Sequence, residues 1–342
     1  MLSSSIRKCP PPISGKQGWP WDEKSITLRD MVYTDPSWPR VSIVTPSFNQ
    51  GAFIEETIRS VLMQSYPHIE YIIIDGGSTD ETVRIIRKYE SLLSFWASDA
   101  DEGQADALRR GFALAQGEIL AFLNADDVYA PNAVETAVSA FRNNPALTLV
   151  HGDSIFIDGS GNEIGHKRGR EGPYLSYFLR LANPISQPSA FWRRTDYEAI
   201  GGFDPKLHYI MDYDLWSRMG LLGKKFRHVA ADLSLFRIHT SSKTNQSMLP
   251  FEQERLQLVQ KYLRDAILGP ILIPHSDQLF GALHLRLANA FCVEGDRHKA
   301  WAHYKKAVRY SPQLSYSWPS LNLLLRLLLG KRSFRRQVVD RV

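Results

Sequence analysis

The chain has 342 residues, room for about two domains at roughly 150 residues each, and its 44% hydrophobic and 23% charged residues exclude a disordered chain. Two cysteines, Cys9 and Cys292, exclude a disulfide framework and a cysteine-based zinc site, and fit a reducing compartment. The net charge is +5, and the segment from Ser320 onward, with Arg326, Lys331, Arg332, Arg335, Arg336 and Arg341 against Asp340, carries an excess of that size by itself; the balanced remainder excludes a body-wide nucleic-acid surface.

No run reaches the roughly 18 apolar residues of a membrane-spanning helix. The opening Met1-Leu2-Ser3-Ser4-Ser5-Ile6-Arg7 lacks the apolar centre of a signal peptide, so the expected location is the cytoplasm. Residues 1–40 are rich in Pro, Ser and Trp and cannot form a regular helix. They are expected to be an extended arm whose tryptophans, in Gly18-Trp19-Pro20-Trp21, dock on the body.

From Val41 the pattern changes. Short apolar runs at 41–45, 71–74, 95–97, 119–123 and 147–150 alternate with amphipathic stretches, predicting a parallel sheet covered by helices. Ser78 and Glu81, three apart, predict a capping box at the start of the second helix. Pro131 suits a first helical turn, and Pro145 closes that segment. Asp158-Gly159-Ser160-Gly161-Asn162 between apolar runs predicts a hairpin turn, not a dinucleotide loop, because the spacing is not GxGxxG and no helix follows. Beyond about Met248 the strands stop, and 252–268, 278–293 and 298–310 read as helices. Ala288, Phe291, Gly295, Ala300, Tyr304, Ala307 and Pro312 resemble a single tetratricopeptide-type hairpin, expected as an appendage because one copy cannot bury its own face.

Ligands of such sheets bind beyond the carboxyl ends of the strands. Those ends deliver Thr45-Pro46-Ser47-Phe48-Asn49-Gln50-Gly51, Asp75-Gly76-Gly77-Ser78-Thr79-Asp80, Asp99-Ala100-Asp101-Glu102-Gly103-Gln104 and Asn124-Ala125-Asp126-Asp127 to one edge. So many carboxylates need a cation or a set of donors between them. Asp126 and Asp127 offer the hard oxygen ligands that a divalent ion with bound phosphates takes; as a lone pair they serve equally well as caps of the helix near Pro131.

In order and spacing, 41–51, 72–80 and 120–127 resemble the nucleotide-sugar domain of family 2 glycosyltransferases. The resemblance covers about 40–245 and implies the GT-A fold, a Rossmann-like, mostly parallel sheet with helices on both faces, here with a C-terminal helical appendage. The implied division is an arm over 1–40, a transferase domain over 41–247 and a helical region over 248–342. Gly18-Trp19-Pro20-Trp21 is also similar to the lead-in of a bacterial branch of the family.

Carried over position by position, the resemblance puts Thr45, Pro46 and Ser47 beside the nucleoside, with Asn49, Gly76 and Gly77 in the bordering loops. Asp75 is implied at the base and ribose. Many relatives have a second aspartate after it that reads the base, and this chain has Gly76 instead. Asp126 is implied at the ribose and Asp127 on a metal, Mn²⁺ or Mg²⁺, that binds the diphosphate. Gln104, Asp106 and Arg109 open the third helix near donor phosphate or sugar, although Arg109 suits a solvated helix face equally well.

Further on, Gly201-Gly202-Phe203-Asp204 and Met211-Asp212-Tyr213-Asp214-Leu215-Trp216 resemble the family segment that supplies the catalytic base, with Met211 where relatives carry Glu. An inverting transfer needs a carboxylate to accept the acceptor's proton. Asp212 is the expected base, and Asp214 a structural partner. His239, in Arg237-Ile238-His239-Thr240-Ser241-Ser242, matches a segment whose His can complete the metal shell. Gln187 and Trp192 are placed in the acceptor wall, Trp192 suiting core packing equally well. The processive-synthase signature Gln-x-x-Arg-Trp is missing, which favours single addition.

The resulting expectation is an inverting, metal-dependent transferase. It moves one sugar from a nucleotide-diphosphate sugar to a saccharide or lipid-linked saccharide in cell-surface polysaccharide or glycolipid synthesis. Leucines and arginines over 321–336 fit either a peripheral helix on an anionic membrane or a last packed helix with a basic end. A catalytically lapsed sugar-nucleotide binder or scaffold stays open because Gly76 and Met211 replace acidic residues. A nucleotidyltransferase is disfavoured by the Asp212 segment and by the lack of a glycine-rich triphosphate loop after the first strand.

Overall fold

The computed structural model describes residues 9–12, 16–22, 38–240, 242–245 and 247–329. The chain divides into two compact units. One comprises Met1–Glu171, Ile185–His208 and Lys224–Arg237, and the other Gly172–Pro184, Tyr209–Gly223 and Ile238–Val342.

The first unit holds a nine-stranded sheet among the described residues. Strands β1 (Val41–Ser47), β2 (Ile69–Asp75), β3 (Phe95–Ser98) and β4 (Ile119–Phe122) are parallel and lie in the order β3-β2-β1-β4. Ile72, Ile73 and Ile74 of β2 and Ile119–Phe122 of β4 are buried apolar runs, as parallel strands covered on both faces require; β1 is buried throughout although Ser and Thr interrupt its apolar residues, and the edge strand β3 is only partly buried. Helices α1 (Ile54–Leu62), α2 (Thr82–Tyr89) and α3 (Gln104–Leu114) make the crossovers. Ile54, Ile58, Val61, Ile85, Ile86 and Tyr89 bury one face of the sheet's core.

The sheet continues past a two-residue β5 (Val128–Tyr129) and α4 (Ala133–Asn143) into β6 (Leu149–Ile157) and β7 (Glu163–Lys167). These two are antiparallel around the expected turn, where the Asp158 carboxylate accepts from the N–H groups of Ser160 and Asn162. Strands β8 (Ala190–Arg193) and β9 (Phe226–Arg237) complete the sheet, β8 antiparallel between β4 and β6, and β9 parallel to β6.

Two local expectations are corrected. Ser78 does not cap α2: its hydroxyl donates to Asp75 Oδ1 at 2.6 Å, and Asp80 accepts the Thr82 N–H at 3.0 Å instead. The hydroxyl's proton goes to Asp75, and its oxygen accepts the Asn49 N–H at 2.7 Å, a donor from the neighbouring loop in place of one from α2. Pro131 lies before the first turn of α4, whose cap is Asn132 with φ +61°.

The arm docks where it is described. Trp19 Nε1 donates to the Tyr129 carbonyl at 2.8 Å, and Trp21 is buried. Arg59, itself buried, donates to the carbonyls of Pro10 at 2.8 Å and Pro20 at 3.1 Å. A guanidinium suits this because its fixed fork satisfies several carbonyls that loop backbone would otherwise bury unpaired.

The second unit is helical: α5 (Tyr174–Leu179), α7 (Met211–Leu221), α8 (Leu249–Arg264), α9 (Gly269–Leu272), α10 (Ser276–Glu294), α11 (Arg297–Tyr310) and α12 (Trp318–Leu329), a short α6 (Arg194–Ala199) belonging to the first unit. Phe178 stacks on Tyr213 and Tyr262 with centroids 5.9 and 5.8 Å away. Glu252 is buried between Arg255 and Arg286; burial alone would raise its pKa, and the two guanidinium groups lower it below the ordinary range. Gly295, at φ +87°, ends α10 in the left-handed conformation that glycine adopts without strain. Ala288, Phe291, Ala300 and Tyr304 of the expected hairpin form one core with Leu323 and Leu327 of α12, so a third helix covers the face that a lone hairpin leaves open. Leu321, Leu325, Leu328 and Trp318 of that helix are exposed. The basic residues from Lys331 onward lie outside the described residues.

Candidate functional site

Strand pairing aligns Ser47, Asp75 and Ser98 in one row at the carboxyl ends of β1, β2 and β3. Asp75 is fully buried. Its carboxylate accepts from the Ser78 N–H at 2.9 Å, the Ser78 hydroxyl and the Ser98 hydroxyl at 2.7 Å, so it is taken up within the protein. Thr45 is also buried, its hydroxyl 3.1 Å from that of Tyr71; Pro46 follows it, buried, in the strand. Ser47 is buried, its hydroxyl without a hydrogen-bond partner among the described residues, while its carbonyl accepts the Gly76 N–H at 2.8 Å.

The loops after β1 and β2 are stitched together. Asn49, at φ +52°, accepts the Thr79 N–H on its side chain and donates its own N–H to Ser78. Gln50 and Gly51 donate to Thr82 and Asp80. Gly77, at φ +81°, closes the second loop in a conformation side chains resist. This rigid frame projects Phe48, 60% exposed, into solvent. Sequence reasoning passed over Phe48; its signal was an aromatic in a polar loop, a residue type that needs a reason to be wet.

Three side chains meet at Asn124, just after β4. Its oxygen accepts from Gln104 Nε2 at 2.6 Å, and its amide nitrogen donates to Gln187 Oε1 at 3.0 Å and Asp127 Oδ2 at 3.2 Å. Gln187 in turn donates to the Phe122 carbonyl at 2.8 Å. Asp127 is buried, and its Oδ1 accepts the Arg237 N–H at 2.9 Å. Burial, then the neighbouring charge of Asp126, raises the Asp127 carboxyl well above its ordinary range. The Asp126 carbonyl accepts from Arg237 Nε at 2.9 Å. Arg237, which sequence reasoning noted only as part of a segment, therefore holds both aspartates, and its guanidinium also pairs with Glu56 at 3.1 Å.

The remaining expected residues are placed as follows. Arg109 is on a solvated face and pairs with Asp106 at 3.1 Å. Trp192 is corrected from the acceptor wall to the core: it is 0% exposed and packs against Phe112, Phe122, Tyr197 and Phe203. In the second unit Asp212 is half-buried in the first turn of α7, where the helix dipole favours an anion. Met211 beside it is buried. Asp214 is fully buried, takes two bonds from Arg218 at 2.9 and 2.6 Å, and accepts from the Tyr262 hydroxyl at 2.8 Å. His239 is half-buried, its N–H donating to the Ser242 hydroxyl at 3.0 Å.

No group of three or more His, Cys, Asp or Glu side chains among the described residues is arranged to hold a metal ion. A pair does fit one. The Asp126 and Asp127 carboxylates are hard oxygen donors, one of them buried beside a like charge. Magnesium-type ions are commonly held by one or two such carboxylates plus substrate phosphates.

The family model described as Glycosyl transferase family 2 matches residues 42–200. An uncharacterized glycosyltransferase of Mycobacterium tuberculosis is 32% identical over 191 residues, 54% of this chain and 71% of that protein. The chain belongs to glycosyl transferase family 2. As a glycosyltransferase it shares the GT-A fold of two solved structures. One is the mannosyltransferase PcManGT from Pyrobaculum calidifontis in complex with GDP-Man and Mn²⁺, at TM-score 0.56 and 19% identity over 86% of this chain and 89% of that one. The other is S. aureus TarS 1-349 in complex with UDP-GlcNAc, at TM-score 0.58 and 14% identity over 87% of this chain and 93% of that one.

Proposed function

We propose that this glycosyltransferase is inverting and metal-dependent, and moves a single sugar from a nucleotide-diphosphate sugar to a hydroxyl of a saccharide or lipid-linked saccharide, in building a cell-surface polysaccharide or glycolipid. The observation that carries the reading is the Gln104–Asn124–Asp127–Gln187 network, which orients a buried carboxylate whose raised pKa a cation would relieve. Mn²⁺ in the PcManGT complex, and the sugar nucleotides there and in TarS, support it. Asp127 with Asp126, and His239 as a further candidate, would hold the ion, which when bound neutralises charge on the departing diphosphate.

The protein's own residues do the rest. Phe48 offers an aromatic face to the base, and the stitched loops hold Thr45, Pro46, Ser47, Asn49, Asp75, Gly76 and Gly77 around the nucleoside. The acceptor oxygen attacks the anomeric carbon opposite the bond to the diphosphate. Its proton passes to the Asp212 carboxylate, and the electron pair of the broken bond leaves with the diphosphate. Incubation of the full chain with UDP-, GDP- and dTDP-sugars and candidate acceptors, followed by proton NMR, tests the reading. A product of opposite anomeric configuration, formed with Mn²⁺ or Mg²⁺ and not with chelator, is expected; a retained configuration or undiminished transfer in chelator overturns it.

A cytoplasmic protein resting on the membrane surface is part of the same proposal. No helix among the described residues is long and apolar enough to cross a membrane. Exposed Trp318, Leu321, Leu325 and Leu328 precede the basic stretch from Lys331 to Arg336 in the sequence, the combination that anionic interfaces favour. The full chain is expected to sediment with phosphatidylserine-containing vesicles and not with neutral ones. At about 1 kcal/mol per basic residue, Arg335→Glu with Arg336→Glu should cut that binding by more than tenfold.

A further inference from the structure

Strands β3, β2, β1 and β4 are neighbours in that order, so three inter-strand steps of about 4.8 Å separate the end of β4 from the end of β3, about 14 Å in all. That span is of the order of an extended nucleoside diphosphate. With the diphosphate at Asp127 after β4, the base falls at the loops after β2 and β3. This placement rests on the donor reading above.

At that end Asp75 is already taken up by Ser78 and Ser98. Asp99 is exposed, 3.8 Å from Arg110. Asp101 is different: it is half-buried, its Oδ1 accepts the Gly103 N–H at 2.8 Å, and its carboxylate lies over the bare α-carbon of Gly76. A Cβ added at Gly76 would stand 2.9 Å from Asp101 Oδ2 and 3.1 Å from Cγ and Oδ1. The two positions therefore compete for one space, and this chain fills it from the loop after β3. A second observation marks the place as a ligand site: Ser47, whose backbone carbonyl accepts the Gly76 N–H, has a buried hydroxyl with no hydrogen-bond partner among the described residues. Exposed Phe48 follows it in the chain.

We propose that Asp101, seated over Gly76, reads the donor base through a ring N–H, so that the donor is a uracil, thymine or guanine nucleotide and not a cytosine or adenine one. An ionised carboxylate only accepts hydrogen bonds. Uracil and thymine offer N3–H, and guanine offers N1–H beside its exocyclic amine. Cytosine N3 and adenine N1 present a lone pair there, which a carboxylate repels. Burial raises the Asp101 carboxyl above its ordinary range while the Gly103 N–H opposes the rise, so a further donor from the base is an interaction the site lacks by itself. Hydrogen-bonding sites of this kind discriminate strongly because the wrong ligand leaves a buried group unpaired.

The test is calorimetric titration of the full chain, with Mn²⁺, against UDP, dTDP, GDP, CDP and ADP, and against inorganic pyrophosphate as a base-free probe. The wild type is expected to bind at least one of UDP, dTDP and GDP tenfold or more tighter than CDP and ADP. Asp101→Asn keeps an oxygen for the Gly103 N–H and should lose that preference tenfold or more while leaving pyrophosphate affinity unchanged. Gly76→Ala, which pushes the carboxylate aside, should lose it too and serves if Asp101→Asn does not fold. CDP or ADP bound as tightly as the best of the others, or a preference that survives both substitutions, overturns the Asp101 assignment and leaves the transferase reading standing. No binding of any nucleotide overturns both.

Discussion

Asp127→Asn is expected to abolish the metal-dependent part of nucleotide binding while leaving the ligand-free protein as stable as the wild type or slightly more so. The two halves of this result have one cause. Burial and Asp126 both penalise charge on Asp127, so the ionised carboxylate is held at a cost that a neutral amide avoids. The amide oxygen still accepts the Arg237 N–H. Against this, the amide nitrogen turns the Asn124 contact into donor against donor, which limits the gain. A nucleoside diphosphate at about 100 times its dissociation constant, given with Mn²⁺, stabilises the wild type by about 2.7 kcal/mol. In the variant that shift should match the one measured in chelator, and transfer should fall by about two to three orders of magnitude, since a metal supplies several kcal/mol to such a step. Thermal denaturation with and without UDP or GDP, Mn²⁺ and chelator checks it. An undiminished metal-dependent shift would move the ion elsewhere. A large fall in the ligand-free melting temperature would reduce Asp127 to a structural group.

The sequence disclosed the parallel half of the sheet because its inner strands are covered on both faces and carry short apolar runs, as at 72–74 and 119–122. It disclosed much less of the rest. Strand β9 shows no clean alternation, and its parallel partner β6 lies 77 to 80 residues earlier, a pairing that no local pattern encodes. Strand β8 has four residues, and its Trp192 looked like a sugar platform because burial is not visible in one residue's identity. At the site, residue types at the strand ends were legible, since a doubly wound sheet puts ligands there. The partnerships were not. Asn124 joins groups 20 and 63 residues away, and Gly76 makes sense only beside Asp101. Ser78 shows the same limit in reverse: its spacing to Glu81 satisfied a local rule, and its oxygen accepts the N–H of Asn49, 29 residues away, in place of a helical one.

Asp212→Asn should lower kcat by about 10²–10⁴, the usual contribution of a positioned base, with metal-dependent nucleotide binding and melting temperature unchanged. The neighbouring Asp214 supplies the control, because residues two apart on a helix do not share a face. Asp214 is fully buried and fixes Arg218 and Tyr262, so Asp214→Asn leaves a guanidinium without its counter-charge in a poorly solvated place. Breaking such a pair costs about 3 kcal/mol or more, so that variant should melt earlier. Half-buried Asp212 lies in the first turn of α7, where an amide replaces a carboxylate at little cost to the fold. The two carboxylates thus separate by readout: one loses turnover and keeps stability, the other loses stability. Saturating donor and acceptor concentrations put the first loss in kcat and not in KM, as expected of an interaction made only in the transition state. Wild-type turnover by Asp212→Asn would place the base elsewhere, and turnover by neither the wild type nor any variant, with nucleotide binding intact, would identify a binder that has lost its chemistry.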